Sequence, residues 1–85
     1  MSCRIVFTRR AERDVDDIPD GARGRLAKRI DGLASEPRPP GSRKLAGSED
    51  LYRLRSGDYR IIYSIEDRLI TVTIIRIGHR RDIYR

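Results

Sequence analysis

The feature that most constrains the fold is a pair of strand-like segments, residues 51–55 and 59–65, separated by Gly57-Asp58. Apolar and arginine residues alternate in the first segment, and the second is rich in β-branched and aromatic residues. Both patterns are typical of strands. Glycine at the first central position suits a two-residue type II′ turn, which would fix the register of the hairpin.

This register predicts one apolar and one cationic face, because opposed residues share a face. The residues of the apolar face, which we expect to enter the core, are Tyr52, Leu54, Tyr59, Ile61 and Tyr63. The other face carries Arg53, Arg55, Arg60 and Ile62, with Arg55 directly opposite Arg60. Like charges directly opposed in a ladder are destabilising. The cluster therefore indicates either an anion-binding site or a solvated face that happens to be rich in arginine.

A second hairpin is predicted at Glu66-Asp67, since residues 69–77 are apolar at nearly every position, as in a central strand. A two-residue turn there would set Tyr63 opposite Ile70 and Arg60 opposite Thr73. The residues then assigned to the apolar face are Ile70, Val72 and Ile74, and those assigned to the cationic face are Thr71, Thr73, Ile75 and Ile77.

The N-terminal half predicts a short strand at residues 3–7 and two helices. Thr8 can cap a first helix that runs to about Asp17, and Asp20 can cap a second one after Pro19. Their apolar stripes are Ala11, Val15 and Ile18 in the first helix, and Ala22, Leu26, Ile30 and Leu33 in the second. The predicted order is β-α-α-β-β-β, an α+β fold in which a helical hairpin packs on one face of a mainly antiparallel sheet, forming one domain over residues 1–85.

The composition indicates a cytoplasmic protein with a polyanionic partner. The net charge is +6 at pH 7, and arginine supplies all but two of the 19 cationic residues, a preference that suits phosphate recognition but also follows from a GC-rich genome. No segment resembles a membrane span or signal peptide, and the single Cys3 cannot form an internal disulfide. Neither a metal-ligand spacing nor a phosphate-binding glycine loop is present, so no cofactor or small-molecule ligand is expected.

The remaining candidates for chemistry are the arginines of the hairpin and the polar residues of the C-terminal segment, His79, Arg80, Arg81 and Tyr84. Preorganised cations can stabilise a pentavalent phosphorane without a metal ion. Tyrosine or histidine can move protons or stack on a base. Such a set can promote attack of an RNA 2′-hydroxyl on the adjacent phosphate.

Four motifs in this order resemble the RelE/ParE toxin superfamily, and most closely its RelE branch. They are Lys44-Leu45-x-Gly47, Leu51-Tyr-Arg-Leu-Arg, Gly57-Asp-Tyr-Arg-Ile-Ile-Tyr63 and Gly78-His-Arg-Arg-x-x-Tyr84. The resemblance implies the toxin of a type II toxin–antitoxin pair, a ribonuclease that enters the ribosomal A site and cuts mRNA to leave a 2′,3′-cyclic phosphate. It also implies a cognate antitoxin, whose acidic, partly disordered segment would cover the cationic face.

The resemblance also implies a role for each matching residue. Arg53 and Arg55 match two basic positions beside the scissile phosphate, and Arg60 matches the arginine that stabilises the transition state. Arg80 matches an arginine with a phosphate-binding or general-acid role, and Tyr84 matches a tyrosine that orients or stacks on the base. The residues assigned to substrate binding are Lys44, His79 and Arg81.

One departure from the family leaves the proton carrier open. Where the family has a lysine that can act as general base, this chain has arginine, which stays protonated. Tyr84, His79 or solvent would have to move the proton. Two other functions therefore stay open: a ParE-like inhibitor of DNA gyrase without enzymatic activity, and an RNA-binding module that does not cleave.

Overall fold

A computed structural model of the chain describes residues 2–79. Its elements in chain order are β1 (Arg4–Phe7), α1 (Arg9–Asp16), α2 (Asp20–Gly32), β2 (Arg43–Lys44), β3 (Leu51–Ser56), β4 (Tyr59–Glu66) and β5 (Thr71–His79). The apolar sides of both helices join the inward side chains of the sheet in a single core. The α+β class and the packing of a helical pair on one face of the sheet are therefore confirmed. No helix among these residues is long and apolar enough to span a membrane.

The hairpin of β3 and β4 has the predicted register. Ser56 pairs with Tyr59, Arg55 with Arg60 and Leu54 with Ile61. Gly57 has a φ of 60°, and among the described residues Ile70 alone has a positive φ without being glycine. A positive φ at the first central position of the turn and not at the second is what a type II′ turn requires. The turn thus sends Leu54 and Ile61 into the core and the arginines to the opposite face.

The five strands form one mixed sheet in the order β1-β5-β4-β3-β2. Neighbouring strands are antiparallel except β1 and β5, which run parallel with Arg4 beside Thr71 and Phe7 beside Ile74. The sequence pattern does not predict β2, because two residues are too few to display an alternation. This strand adds an edge beyond β3 and sets Arg43 opposite Arg53.

The predicted two-residue turn at Glu66-Asp67 is wrong. β4 continues to Glu66, a 3₁₀ turn occupies Asp67–Leu69, and Ile70 adopts a left-handed conformation with a φ of 48° before β5 begins. Ile70 consequently remains 38% exposed instead of entering the core. The longer connection shifts the register, so that Ile74 rather than Ile70 lies opposite Tyr63.

The assignment of Ile77 to the cationic face is also wrong. Arg76 pairs with Ile62 whereas Ile74 pairs with Tyr63, so Ile75 is an extra residue on β5 and forms a bulge. A bulge of one residue inverts the alternation of side chains along the strand. Ile77 therefore points into the core, where it is 2% exposed.

The helices begin largely where capping rules place them. The Thr8 hydroxyl accepts a hydrogen bond from the backbone N–H of Ala11 at 3.1 Å, which confirms Thr8 as the N-cap of α1. The expected cap of α2 is wrong by one residue, because Pro19 is the N-cap and Asp20 is the first helical residue. Pro19 offers no side-chain acceptor, and its carbonyl oxygen accepts the first backbone hydrogen bonds of the helix, from the N–H groups of Ala22 and Arg23 at 3.0 and 2.9 Å.

A buried carboxylate attaches α1 to the end of β5. Asp14 accepts a hydrogen bond from the backbone N–H of Ile77 at 2.9 Å, and its oxygens lie 3.4 Å from Nε of Arg10 and 3.6 Å from Nε of Arg76. Because β1 ends opposite Ile74, no strand among residues 2–79 lies beside the far half of β5 on that side. Asp14 supplies one of the missing hydrogen-bond acceptors, so α1 replaces the strand there.

Candidate nucleic-acid interface

Four arginines on three neighbouring strands share the sheet face that is turned away from the helices. We call this set, Arg43, Arg53, Arg55 and Arg60, the arginine face. Arg43 lies opposite Arg53, and Arg55 lies opposite Arg60. Arg43 and Arg55 are exposed, whereas Arg53 and Arg60 are half-buried. The two pairs place cations side by side in the ladder, the arrangement that is destabilising without a bound anion.

An open groove of about 490 Å³ crosses this face, and its walls are formed by Gly41, Arg43, Arg53 and Arg55. Among residues 2–79, no carboxylate forms an ion pair with Arg43 or Arg55. Within the described residues, the guanidinium groups of Arg43 and Arg55 therefore face solvent in the groove without a carboxylate partner. Guanidinium groups bind phosphate or carboxylate oxygens in a bidentate manner.

The loop that carries Gly41 and Arg43 is fixed to the sheet by one arginine. Arg38 donates to both carboxylate oxygens of Asp67, at 3.1 and 3.4 Å, and to the Tyr52 hydroxyl at 3.1 Å. The hydrogen bonds to Asp67 raise the pKa of Arg38 further above its ordinary value, and the hydrogen bond to Tyr52 adds a smaller effect in the same direction. The loop that leads to the groove wall is thereby anchored near its start.

The buried tyrosines belong to the core and to this loop anchor. Tyr52 and Tyr63 stack with ring centroids 5.8 Å apart, and the Tyr63 hydroxyl donates to the Pro37 carbonyl oxygen at 2.9 Å. Burial raises the pKa of the Tyr63 hydroxyl. Tyr59 packs against the same core from its half-buried position. The three tyrosines thus pack on the helix-covered side, as the predicted hairpin faces require.

The structure separates His79 from the arginine face. His79 is paired with Tyr59 across the sheet, and the two rings meet edge to face with centroids 5.7 Å apart. Both line a separate cavity of about 230 Å³, whose walls also include Asp14 and Asp17. His79 therefore lies on the helix-facing side, across the sheet from the guanidinium groups with which the sequence analysis grouped it.

The edge strand places Lys44 and Arg43 on opposite faces of the sheet. Lys44 pairs with Tyr52, which puts it on the helix-facing side of the edge strand, and the groove is lined by Arg43 instead. Sequence reasoning missed Arg43, and the pairing of β2 with β3 is the signal that identifies it. The structure thus brings together Arg53, Arg55 and Arg60, whereas Arg80, Arg81 and Tyr84 lie outside the described residues.

Comparison with known proteins agrees with this geometry. Residues 5–84 match the family model of the ParE toxin of type II toxin–antitoxin systems. The chain is 37% identical to the toxin RelG of Mycobacterium tuberculosis, with 100% of this chain and 99% of that protein covered. It is 32% identical to the mRNA interferase toxin RelE of Escherichia coli, with 94% and 85% covered.

A solved structure gives the same result for the fold. In the crystal structure of the archaeal RelE–RelB complex from Pyrococcus horikoshii, one chain superimposes with a TM-score of 0.84 at 30% identity, over 96% of this chain and 99% of that one. Taken together, the sheet with its arginine face, the family model and these relatives lead to one conclusion. The chain belongs to the RelE/ParE superfamily of type II toxin–antitoxin toxins.

Proposed function

We propose that this toxin is an endoribonuclease that cuts mRNA on the ribosome and so inhibits translation. The observation that carries the proposal is the arginine face, where Arg55 and Arg60 are directly opposed and Arg53 lies two residues along the same strand. Such a cluster stabilises a bound group whose negative charge increases during a reaction. The name of the E. coli relative, an mRNA interferase toxin, supports the same activity.

The reaction needs no atom from outside the RNA except protons. The 2′-oxygen attacks the adjacent phosphorus, the bond from phosphorus to the 5′-oxygen breaks, and a 2′,3′-cyclic phosphate and a 5′-hydroxyl result. One proton leaves the 2′-hydroxyl and one is added to the departing 5′-oxygen. The pentavalent intermediate carries additional negative charge, which guanidinium groups fixed on rigid strands can stabilise.

Each arginine of the described site receives a role in binding rather than in proton transfer. Arg60, half-buried in the central strand β4, stabilises the charge on the phosphorane, and Arg53 and Arg55 bind the scissile phosphate. Arginine stays protonated, so none of the three acts as general base. His79 lies across the sheet from them. The proton is then moved by Tyr84, beyond the described residues, or by a water molecule, and Arg80, which also stays protonated, is expected to bind phosphate.

A cognate antitoxin is the proposed partner that keeps the toxin inactive. The P. horikoshii relative was solved as a complex of RelE with RelB. For this chain, an acidic and partly disordered segment that orders on binding would neutralise the arginine face and exclude RNA from it. The ribosome and its mRNA are the proposed targets once the antitoxin is removed.

Mapping of 5′ ends in cellular mRNA after induction of the toxin in bacteria tests the activity. We expect cuts that follow the reading frame, and we expect them to disappear in Arg60→Ala, since removing one preorganised transition-state donor typically reduces the rate by about 10²–10³-fold. Arg25→Ala is the control, because it removes the same charge from an exposed position on α2. A stable, fully toxic Arg60→Ala protein would contradict the proposal.

Inhibition of DNA gyrase is the second candidate, and the match to the ParE family model favours it. Growth arrest with intact mRNA, together with loss of supercoiling when purified toxin is added to gyrase, would replace the ribonuclease proposal. Neither arrest nor cuts, combined with salt-sensitive binding of RNA, would leave an RNA-binding module without cleavage.

A further inference from the structure

The edge strand β2 extends the arginine face beyond the residues to which a role has been assigned. Arg43 is directly opposite Arg53 and lines the same groove as Arg53 and Arg55. It is exposed and, among the described residues, forms no ion pair with a carboxylate. Its neighbour Lys44 lies on the other face of the strand.

We propose that Arg43 binds a backbone phosphate of the substrate strand, adjacent to the scissile phosphate that Arg53, Arg55 and Arg60 contact. The inference rests on the proposed function for the identity of the polyanion as RNA. Arg43 then determines how the strand enters or leaves the site, and it takes no part in the chemical step.

The spacing of the strands supports a continuous path for a single strand of nucleic acid. Neighbouring strands lie about 4.8 Å apart. A row of cations thus runs from the centre of the sheet to its open edge. Its members are Arg60 on β4, Arg53 and Arg55 on β3, and Arg43 on β2. A nucleic-acid backbone that crosses the strands would meet a guanidinium group at each step. Proteins that bind single strands commonly use such a basic groove to track the backbone.

The position of the aromatic side chains indicates that this contact is independent of base sequence. Among residues 2–79, the side chains of Phe7, Tyr52, Tyr59 and Tyr63 all belong to or pack against the core, and the His79 ring lies on the same side of the sheet as Tyr59. None of them is available in the groove for stacking on a base. Recognition at Arg43 therefore addresses phosphate charge, and its loss should weaken binding equally for different sequences.

Salt dependence of binding measures this contact directly. The probe is a fluorescein-labelled single-stranded RNA of about ten nucleotides, bound to the full chain without ribosomes, on which the proposed cleavage depends. The logarithm of the association constant falls linearly with the logarithm of salt, with a slope of about −0.7 for each phosphate contacted on a single strand. We expect Arg43→Gln to reduce the slope by about 0.7, and Arg43→Lys to retain it.

Two matched variants control for net charge. Arg25→Gln and Lys28→Gln each remove one charge from an exposed position on α2 and should leave the slope unchanged. An unchanged slope in Arg43→Gln, or an equal loss in either control, overturns the inference. The inference is also overturned if Arg43→Gln binds RNA normally and loses affinity only for a glutamate-rich peptide, since Arg43 would then bind the antitoxin.

A DNA strand of the same sequence separates this inference from the proposed function. DNA has the phosphates but lacks the 2′-hydroxyl, so the loss of slope in Arg43→Gln should be the same on DNA. If the slope falls and no mRNA is cut in cells, the ribonuclease proposal fails while the phosphate contact stands. If mRNA is cut and the slope is unchanged, the inference on Arg43 fails alone.

Discussion

At the scale of single residues, Asp14 joins more of the molecule than any other buried polar side chain described above. Its carboxylate accepts from the backbone of Ile77 and pairs with Arg10 and Arg76, so it holds α1 against the end of β5. Ile77 directly precedes Gly78 and His79, the last residues of β5. The position of this strand end therefore depends on a residue far from it in sequence.

Two replacements of Asp14 should distinguish the contribution of its hydrogen bond to stability from the contribution of its charge. Asp14→Ala leaves the Ile77 N–H without its acceptor, and we expect the free energy of unfolding to fall by about 2–3 kcal/mol. Asp14→Asn keeps an oxygen acceptor and should lose about half as much, because both arginines retain partial access to solvent. Urea denaturation measures both values. Equal losses in the two variants would show that the charge, and not the hydrogen bond, dominates.

At the scale of elements, the turn between β3 and β4 determines which residues face each other in the site. A Cβ atom at Gly57 would meet no atom within 4 Å, so the need for glycine there comes from its φ of 60° alone. Glycine adopts positive φ without the steric penalty of other residues. The same turn that closes the hairpin thus sets Arg55 opposite Arg60.

We expect Gly57→Ala to destabilise the protein by about 1–2 kcal/mol, the penalty for a left-handed conformation in an L-residue. Gly24→Ala is the matched control, since Gly24 lies within α2 with equally open surroundings. That change should stabilise by up to about 1 kcal/mol, because alanine favours helix. Thermal unfolding of both variants checks the prediction. A neutral Gly57→Ala would mean that the turn tolerates an ordinary residue and does not fix the register.

The hairpin could be predicted from sequence because its turn and its alternation are local signals that agree. The connection to β5 could not, since a left-handed isoleucine is disfavoured in isolation. Pairing with β1 offsets this, as the N–H of Arg4 donates to the Ile70 carbonyl at 2.8 Å. Arg43 was missed for a related reason, since its partner Arg53 is ten residues away and only tertiary structure joins them.

At the scale of the whole molecule, stability at alkaline pH should depend on Tyr63. Its pKa is raised in the folded state by burial, whereas in the unfolded chain it lies near 10. Below pH 10 the hydroxyl is neutral in both states and its native contacts stabilise fully. Above pH 10 the unfolded chain loses this proton first, so stability falls as pH rises towards the folded pKa.

Comparison with Tyr63→Phe isolates this effect from other titrations. At neutral pH we expect the variant to be about 1 kcal/mol less stable, because the Pro37 carbonyl loses its donor. Above pH 10 the wild-type protein should lose up to about 1.4 kcal/mol per pH unit more than the variant. Guanidinium denaturation at a series of pH values measures the difference. Parallel pH profiles for the two proteins would contradict the prediction.

The parallel pairing of β1 with β5 has a consequence for the order of folding during synthesis. Among the described strands, β1 has β5 as its one neighbour. Their pairing joins Arg4 to Thr71, which are far apart in the sequence. A nascent chain can close the hairpin of β3 and β4 early, because local contacts form fastest. β1 must wait until β5 has been translated. A product truncated before Thr71 would therefore expose the unpaired edges of β1 and β4, which makes incomplete copies prone to aggregation and degradation.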